Sequence, residues 1–299
     1  MDILSIKGLE KSFGDKAVLR GVDLAVPEGS IFGFIGKNGS GKTTTMKCVL
    51  GLLKPDAGSI TVCGEQVRYG ETSTNRYIGY MPDVPEMYSF MSGGEYLRFC
   101  GEISGMSKED IEGRCEELLS LVGLKDDSHR IKGYSRGMKQ RLAIASALLA
   151  RPRLLICDEP TSALDPDGRR EILDLLLAVK GETTVLFSTH ILSDVERICT
   201  DVAFLDGGVI RLCGRLADIK ASYRRDEYEL VLEGGEYVEL LLSRFLCMKS
   251  AGNGRLRFSE GEQDPHEVLK FLAEREIPML SFCRLEPTLD ILYSEVMGK

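Results

Sequence analysis

Gly36-Lys37-Asn38-Gly39-Ser40-Gly41-Lys42-Thr43-Thr44 fits the pattern G-x-x-x-x-G-K-[ST], and it lies between an apolar run, Ile31 to Ile35, and a helical run that begins near Thr43. In that setting the glycines let successive backbone N–H groups turn inward as an anion nest, and the following helix adds the positive end of its dipole. A triphosphate is the natural occupant. Gly36, Asn38, Gly39, Ser40, Gly41 and Thr44 would wrap its oxygens, Lys42 would place a charge on the β- and γ-phosphates, and the Thr43 hydroxyl would bind Mg²⁺. A Gly-rich turn that binds nothing is the plain alternative, and the strand-loop-helix context argues against it.

A second set of chemically able residues closes another apolar run, Leu154-Leu155-Ile156-Cys157-Asp158-Glu159. A strand of this kind delivers its carboxylates to the C-terminal edge of a parallel sheet, where ligands bind. Asp158 would hold Mg²⁺ through its water shell, since Mg²⁺ keeps several waters and takes few protein carboxylates. Glu159, one residue on, is free to polarise an attacking water. An ordinary solvated turn would explain Asp-Glu-Pro by itself, but not together with the phosphate loop.

The elements that position these residues follow from periodicity. Short β-rich runs, Ile3 to Ile6, Val18 to Val26 and Ile31 to Ile35, predict a small antiparallel layer feeding the loop. Strands are expected at Ser59 to Cys63 and Tyr77 to Met81. From about 84 to 150 the period turns helical, with candidates at Gly94 to Ile103, Lys108 to Val122 and Ser135 to Ala150. The α/β pattern then resumes: strand Arg153 to Cys157, helix Pro166 to Val179, strand Thr183 to Phe187, helix Leu192 to Ile198, and a hairpin through Asp206-Gly207-Gly208.

With 299 residues the chain has room for a full α/β domain and a smaller second one. We expect the domains at 1–220 and 221–299. The second carries ten Lys/Arg against fifteen Asp/Glu, which is −5 of the whole chain's −8. Its alternating elements, strand Glu227 to Leu232, helix Tyr237 to Phe245, strand Arg255 to Phe258, helix His266 to Arg275, strand Met279 to Leu285 and a last helix after Pro287, predict a small α+β fold. The negative balance disfavours nucleic acid as a partner. Nine cysteines without C-x-x-C pairs suggest reduced, mostly buried thiols and a cytosolic protein. No run approaches 18 apolar residues and the N-terminus lacks a leader pattern, so the chain is expected neither to span a membrane nor to leave the cytosol by itself.

Three further features complete a resemblance that covers residues 1 to about 220. Tyr134-Ser135-Arg136-Gly137-Met138-Lys139-Gln140-Arg141 resembles the signature sequence of ATP-binding-cassette (ABC) ATPases in its Ser-x-Gly-Met form, Ser162-Ala163-Leu164-Asp165 resembles the D-loop, and His190 resembles the switch histidine. The order and spacing of all five motifs match. This resemblance implies the P-loop NTPase fold of ABC nucleotide-binding domains, with a RecA-like core, an antiparallel β layer and a helical subdomain at about 84–150. It also implies ATP hydrolysis assisted by Mg²⁺. Two subunits, a homodimer being expected, would meet head to tail around two ATP molecules, so that Ser135, Gly137 and Asp165 serve the site of the other copy. Ser135 can be a plain N-cap as well. His190 would hydrogen-bond the γ-phosphate and hold Glu159 and water in place. Phe13 occupies the position of an adenine-stacking aromatic, although a Phe in a hairpin is more often core. His129 and His266 read as structural.

Two positions depart from the family. Where a glutamine or glutamate usually touches Mg²⁺ and the attacking water, this chain has Asp83, whose shorter arm reaches through a bridging water. Arg136 stands where the longer signature has glycine, an arginine being common there in this subgroup, and its charge can face phosphate or solvent. The apolar stretch Val84-Pro85-Glu86-Met87-Tyr88-Ser89-Phe90-Met91 corresponds to the groove that receives a coupling helix from a transmembrane permease subunit; local core packing explains it equally well. Leu285 to Tyr293 resembles the end of an accessory domain found in bacterial ABC-2-type exporters, with extra dimer contact or regulation as its roles. The expectation is therefore the ATPase subunit of an ABC exporter, cytoplasmic and peripheral on the inner membrane face. The rival is a soluble ABC ATPase acting on nucleic acid or ribosomes, which usually has two cassettes, a coiled-coil insertion or zinc-binding cysteine pairs. A metabolic P-loop kinase leaves Ser135 to Arg141 unexplained.

Overall fold

Three strands, β3 (Ile31–Ile35), β7 (Leu154–Asp158) and β8 (Thr184–Thr189), are buried at every position, as expected of parallel strands covered on both faces. The computed structural model, which describes residues 1–223, 226–285 and 288–297, places these three strands side by side in the order β3-β8-β7. They lie inside a six-stranded sheet with β6 (Ile78–Met81), β9 (Asp201–Asp206) and β10 (Val209–Arg215), in the order β10-β9-β3-β8-β7-β6. All neighbours run parallel except β10, which folds back antiparallel on β9. The register pairs Ile35 with Thr189, Asp158 with Ser188, and Met81 with Cys157. The C-terminal ends of β3, β8, β7 and β6 are thus brought level along one edge, and the chemistry gathers there.

A second, antiparallel sheet has the order β2-β1-β4-β5, formed by β1 (Asp2–Phe13), β2 (Lys16–Pro27), β4 (Ala57–Val62) and the short β5 (Glu65–Gln66). Its apolar alternation, Leu4, Ile6, Leu19, Val22 and Leu24 among others, packs in one cluster with Phe32, Phe34, Leu154 and Ile156 of the parallel sheet and with Met46 and Val49 of α1 (Lys42–Val49). This is the expected α/β cassette with its antiparallel layer. The helical insertion comprises α2 (Gly93–Ile103), α3 (Lys108–Leu121) and α4 (Arg136–Leu148). Local chemistry sets its starts: Ser92 and Glu95 form a capping box at α2, and Ser107 caps α3. α5 (Pro166–Ala178) and α6 (Leu192–Ile198) follow β7 and β8.

By its internal contacts the chain divides into one unit over Met1–Leu216 and another over Ala217–Glu295. The second contains β11 (Glu227–Leu232), α8 (Val238–Arg244), β12 (Lys249–Gly252), β13 (Arg255–Ser259), α9 (Pro265–Glu274) and β14 (Met279–Arg284), flanked by α7 (Leu216–Ser222) and α10 (Leu289–Met297). The β-α-β-β-α-β succession with antiparallel order β12-β13-β11-β14 is the ferredoxin-like split arrangement. Leu230, Leu232, Leu256 and Phe258 pack beneath Leu241, Phe245, Val268 and Leu272. Glu229 pairs with Arg255 and Arg257 of the neighbouring strand.

Several expectations need correction. β5, β12 and α7 are too short or too polar to carry a clear period, and they were not foreseen. The thiols are free as expected, but only Cys48, Cys115 and Cys157 are buried, while Cys213 and Cys283 are exposed. Both exposed cysteines lie on strands whose burial pattern is mostly open, so an apolar context in sequence did not mean a covered one. The helix expected after Pro287 is present as α10, while Pro287 itself lies outside the described residues.

Candidate functional site

The turn after β3 must double back so that α1 can start at Lys42. Gly41 makes this possible with φ +112, and a Cβ there would meet Leu19 at 2.6 Å. A Cβ on Gly36 would come within 2.5 Å of the Ser40 hydroxyl and 2.6 Å of the Leu205 carbonyl. Both glycines are therefore required by geometry. Lys42 is buried, and its Nζ donates to the carbonyls of Gly36 at 2.6 Å and Lys37 at 3.3 Å. The same ammonium lies 3.1 Å from Glu159 Oε1, in an ion pair without hydrogen-bond alignment.

Thr43 Oγ1 donates to Asp158 Oδ2 at 2.6 Å, joining the loop to the end of β7. Ser188 of β8, fully buried, donates to Asp158 Oδ1 at 2.6 Å and accepts the Glu159 N–H at 3.0 Å. Ser188 was not singled out in the sequence; its only signal was its place two residues before His190. Glu159 is held in the left-handed region at φ +49, as is Ala163 at φ +53. For a residue with a Cβ this conformation costs about 1–2 kcal/mol, and such strain collects where a side chain must be aimed. The aim here is specific: Glu159 Oε2 is 2.9 Å from His190 Nδ1.

Asp83 follows β6 on the same edge. Burial raises its carboxyl above the usual range, and the charges of Asp158 and Glu159 add to the rise while Arg136 and His190 oppose it. Arg136 Nη2 lies 3.6 Å from Asp83 Oδ1, and Gln140 donates to the Asp83 carbonyl at 3.3 Å. Where phosphate or solvent was expected, the structure has the Arg136 guanidinium turned to Asp83 of its own chain. Next to this edge the Tyr80 phenol is pushed up to about 12, first by burial and then by Asp158, so it stays neutral.

A pocket of about 430 Å³ opens over this edge. Loop residues Asn38, Gly39, Gly41, Lys42, Thr43 and Thr44 line it together with Asp83, Glu159 and His190; Ser162 of the D-loop segment, Lys16 and Val18 complete the lining, and the last two were not anticipated. Gly36, Ser40 and Asp158 are outside this lining. Phe13 is not part of it; half exposed, with Lys11 Nζ 5.5 Å from its ring centre, it is neither core nor in the pocket lining. Ser135 accepts the Met138 N–H as N-cap of α4, and Asp165 accepts the Gly168 N–H as N-cap of α5; both are exposed and, like Gly137, are not among the pocket-lining residues.

Among the described residues no three His, Cys, Asp or Glu side chains gather as a metal cage. Thr43 and Asp158 meet instead through hard oxygens, which suits a cation that retains water and takes few protein ligands.

The whole arrangement has counterparts among known proteins. The ABC transporter family profile matches residues 19–162. YxlF of Bacillus subtilis (strain 168), an uncharacterized ABC transporter ATP-binding protein, is 42% identical over 229 residues, 76% of each chain. The linearmycin resistance ATP-binding protein LnrL of the same organism is 30% identical over 308 residues, 99% of each. Among solved structures, the ATP binding subunit of an ABC transporter superposes with TM-score 0.67 at 33% identity, covering 74% of this chain and 93% of that one. With the phosphate loop, the acidic strand end and the histidine assembled on one sheet edge, this chain belongs to the ABC transporter ATP-binding proteins and is an ATPase of that family.

Proposed function

We propose that the chain powers export through a separate membrane-spanning subunit, with ATP hydrolysed in sites shared by two copies. The observation that carries the reading is the Lys42–Glu159–His190 chain of contacts beside the Thr43–Asp158 bond. Lys42 moves from Glu159 to the β- and γ-phosphates when ATP enters, and the freed carboxylate then polarises water for attack on the γ-phosphorus. The β,γ-bridging P–O bond breaks, giving ADP and inorganic phosphate. His190 steadies Glu159 and hydrogen-bonds the γ-phosphate, and Asp83 orders the water. Thr43 and Asp158, with Asp83 through water, would hold Mg²⁺, which when bound offsets phosphate charge.

Ser135, Gly137 and Asp165 are not among the residues lining the pocket of their own chain, which supports a head-to-tail pair in which they complete the partner's site. Residues 1–220 act as the ATPase domain, with 84–150 as its helical part and 221–299 as an accessory domain. Among the described residues no helix is long and apolar enough to cross a membrane. Val84, Tyr88 and Phe90 are exposed and offer the apolar surface where a permease docks at the inner membrane face. Export follows the resistance role in LnrL's name, over nearly the full length of both chains. No site residue or charge favours a nucleic-acid partner.

Glu159→Gln tests the reading. Phosphate release is expected to fall about 10²- to 10⁴-fold, with ATP still bound and the chain pairing in its presence by light scattering. A variant that stays monomeric at saturating ATP, alone and with its membrane subunit, refutes the shared site.

A further inference from the structure

Asp83 and Arg136 face each other. Their charged atoms are 3.6 Å apart, and the Asp83 oxygen involved, Oδ1, is buried with no hydrogen-bond partner. One turn along α4, Gln140, itself fully buried, donates to the Asp83 carbonyl. The i, i+4 spacing puts Arg136 and Gln140 on one helix face, so α4 grips Asp83 twice, by side chain and by backbone. A cation in the first turn opposes the helix dipole, so Arg136 breaks a local rule unless a nearby anion answers it. Asp83 is that anion.

We infer that Arg136 is a positioning residue that ties Asp83 in one ATP site to the signature segment, Ser135 and Gly137, serving the other. Asp83 lines the pocket of its own chain, whereas Ser135 and Gly137 flank Arg136 at the start of α4. Engagement of Ser135 by a neighbour's nucleotide shifts α4, and Arg136 carries the shift to Asp83. The two sites are thereby coupled through a single ion pair. This inference rests on the shared-site reading given above.

A double-mutant cycle tests it in the full-length chain, with Arg136→Gln, Asp83→Asn, both together, and Arg136→Lys. The readouts are kcat, the Hill coefficient for ATP, ATP affinity, and ATP-driven pairing in the Glu159→Gln background. Arg136→Gln should lower kcat about fivefold or more and bring the Hill coefficient toward one, with ATP affinity within about twofold. The double variant should lose no more than Asp83→Asn alone, and Arg136→Lys should recover part of the loss. Additive losses, or an unchanged Hill coefficient in Arg136→Gln, overturn the inference. Additivity in a parent that pairs with ATP leaves the shared site standing. A parent that never pairs removes the shared site and this coupling together.

Discussion

Asp158 shows how one side chain here depends on its neighbours. Its two oxygens are taken by Thr43 and Ser188, and Ser188 also receives the Glu159 N–H, so one buried hydroxyl orients both carboxylates. Ser188→Ala would leave a buried carboxylate oxygen and a buried N–H unpaired, costing about 1.5–3 kcal/mol; chemical denaturation of variant and parent measures it, and ATP turnover should fall as Glu159 loses its aim. Asp83 belongs to the same edge. Its raised carboxyl means the folded chain holds that proton more tightly than the unfolded chain does. Stability therefore declines as pH rises from the ordinary value of 3.8 through the raised one. Asp83→Asn should flatten that decline in pH-dependent denaturation. It should also slow turnover more than it weakens ATP binding; lost affinity with unchanged kcat would speak against the role given to Asp83.

Strands and helices bring these residues together through register and caps. β1 ends at Phe13, and its last residues are anchored to Asp56, which accepts from Lys11 Nζ at 2.7 Å and from the Ser12 N–H at 2.6 Å. Those bonds, the Lys11 side chain first, hold the Asp56 carboxyl below its ordinary range. The sign is the reverse of Asp83: the stability is present above the ordinary carboxylate value and is lost as pH falls through the lowered one. Lys11 also lies over Phe13. Asp56→Asn should release this strand end, remove that acid-side loss, and weaken binding of an adenine nucleotide if Phe13 stacks on the base. Titration with a fluorescent ATP analogue reads the last effect, and unchanged affinity would remove Phe13 from the site.

At the scale of the whole molecule, the residues proposed for ATP chemistry sit on one sheet edge, while an exposed apolar strip lies just beyond Asp83. Val84 is 65% exposed and Phe90 66%, and the Tyr88 ring packs against Phe90 and Phe99 at 5.7 and 5.4 Å. Local core packing, which the sequence allowed equally, does not account for such exposure. Substituting Val84 and Phe90 by Asp should leave basal ATP turnover within about twofold, because surface changes away from the site cost little. Co-purification with a membrane subunit should be lost; retention of the subunit by the doubly substituted chain would place the docking surface elsewhere.

The nucleotide chemistry was legible in the sequence because it depends on short spacings. Gly36 to Thr44 must turn and cap in one way, and Leu154 to Glu159 must run from apolar strand to acidic sheet edge; both are local demands on backbone and polarity. The α/β cassette followed from period, and the helix start at Ser135 followed from its capping side chain. What sequence left open was long-range. Ser188 meeting Asp158, Glu159 held between Lys42 and His190, Lys16 and Val18 lining the pocket, and Arg136 turning to Asp83 all join segments far apart in the chain. Only strand order and register decide such meetings, because hydrogen bonds and ion pairs form over about 3 Å, a distance that no periodicity along a single chain encodes.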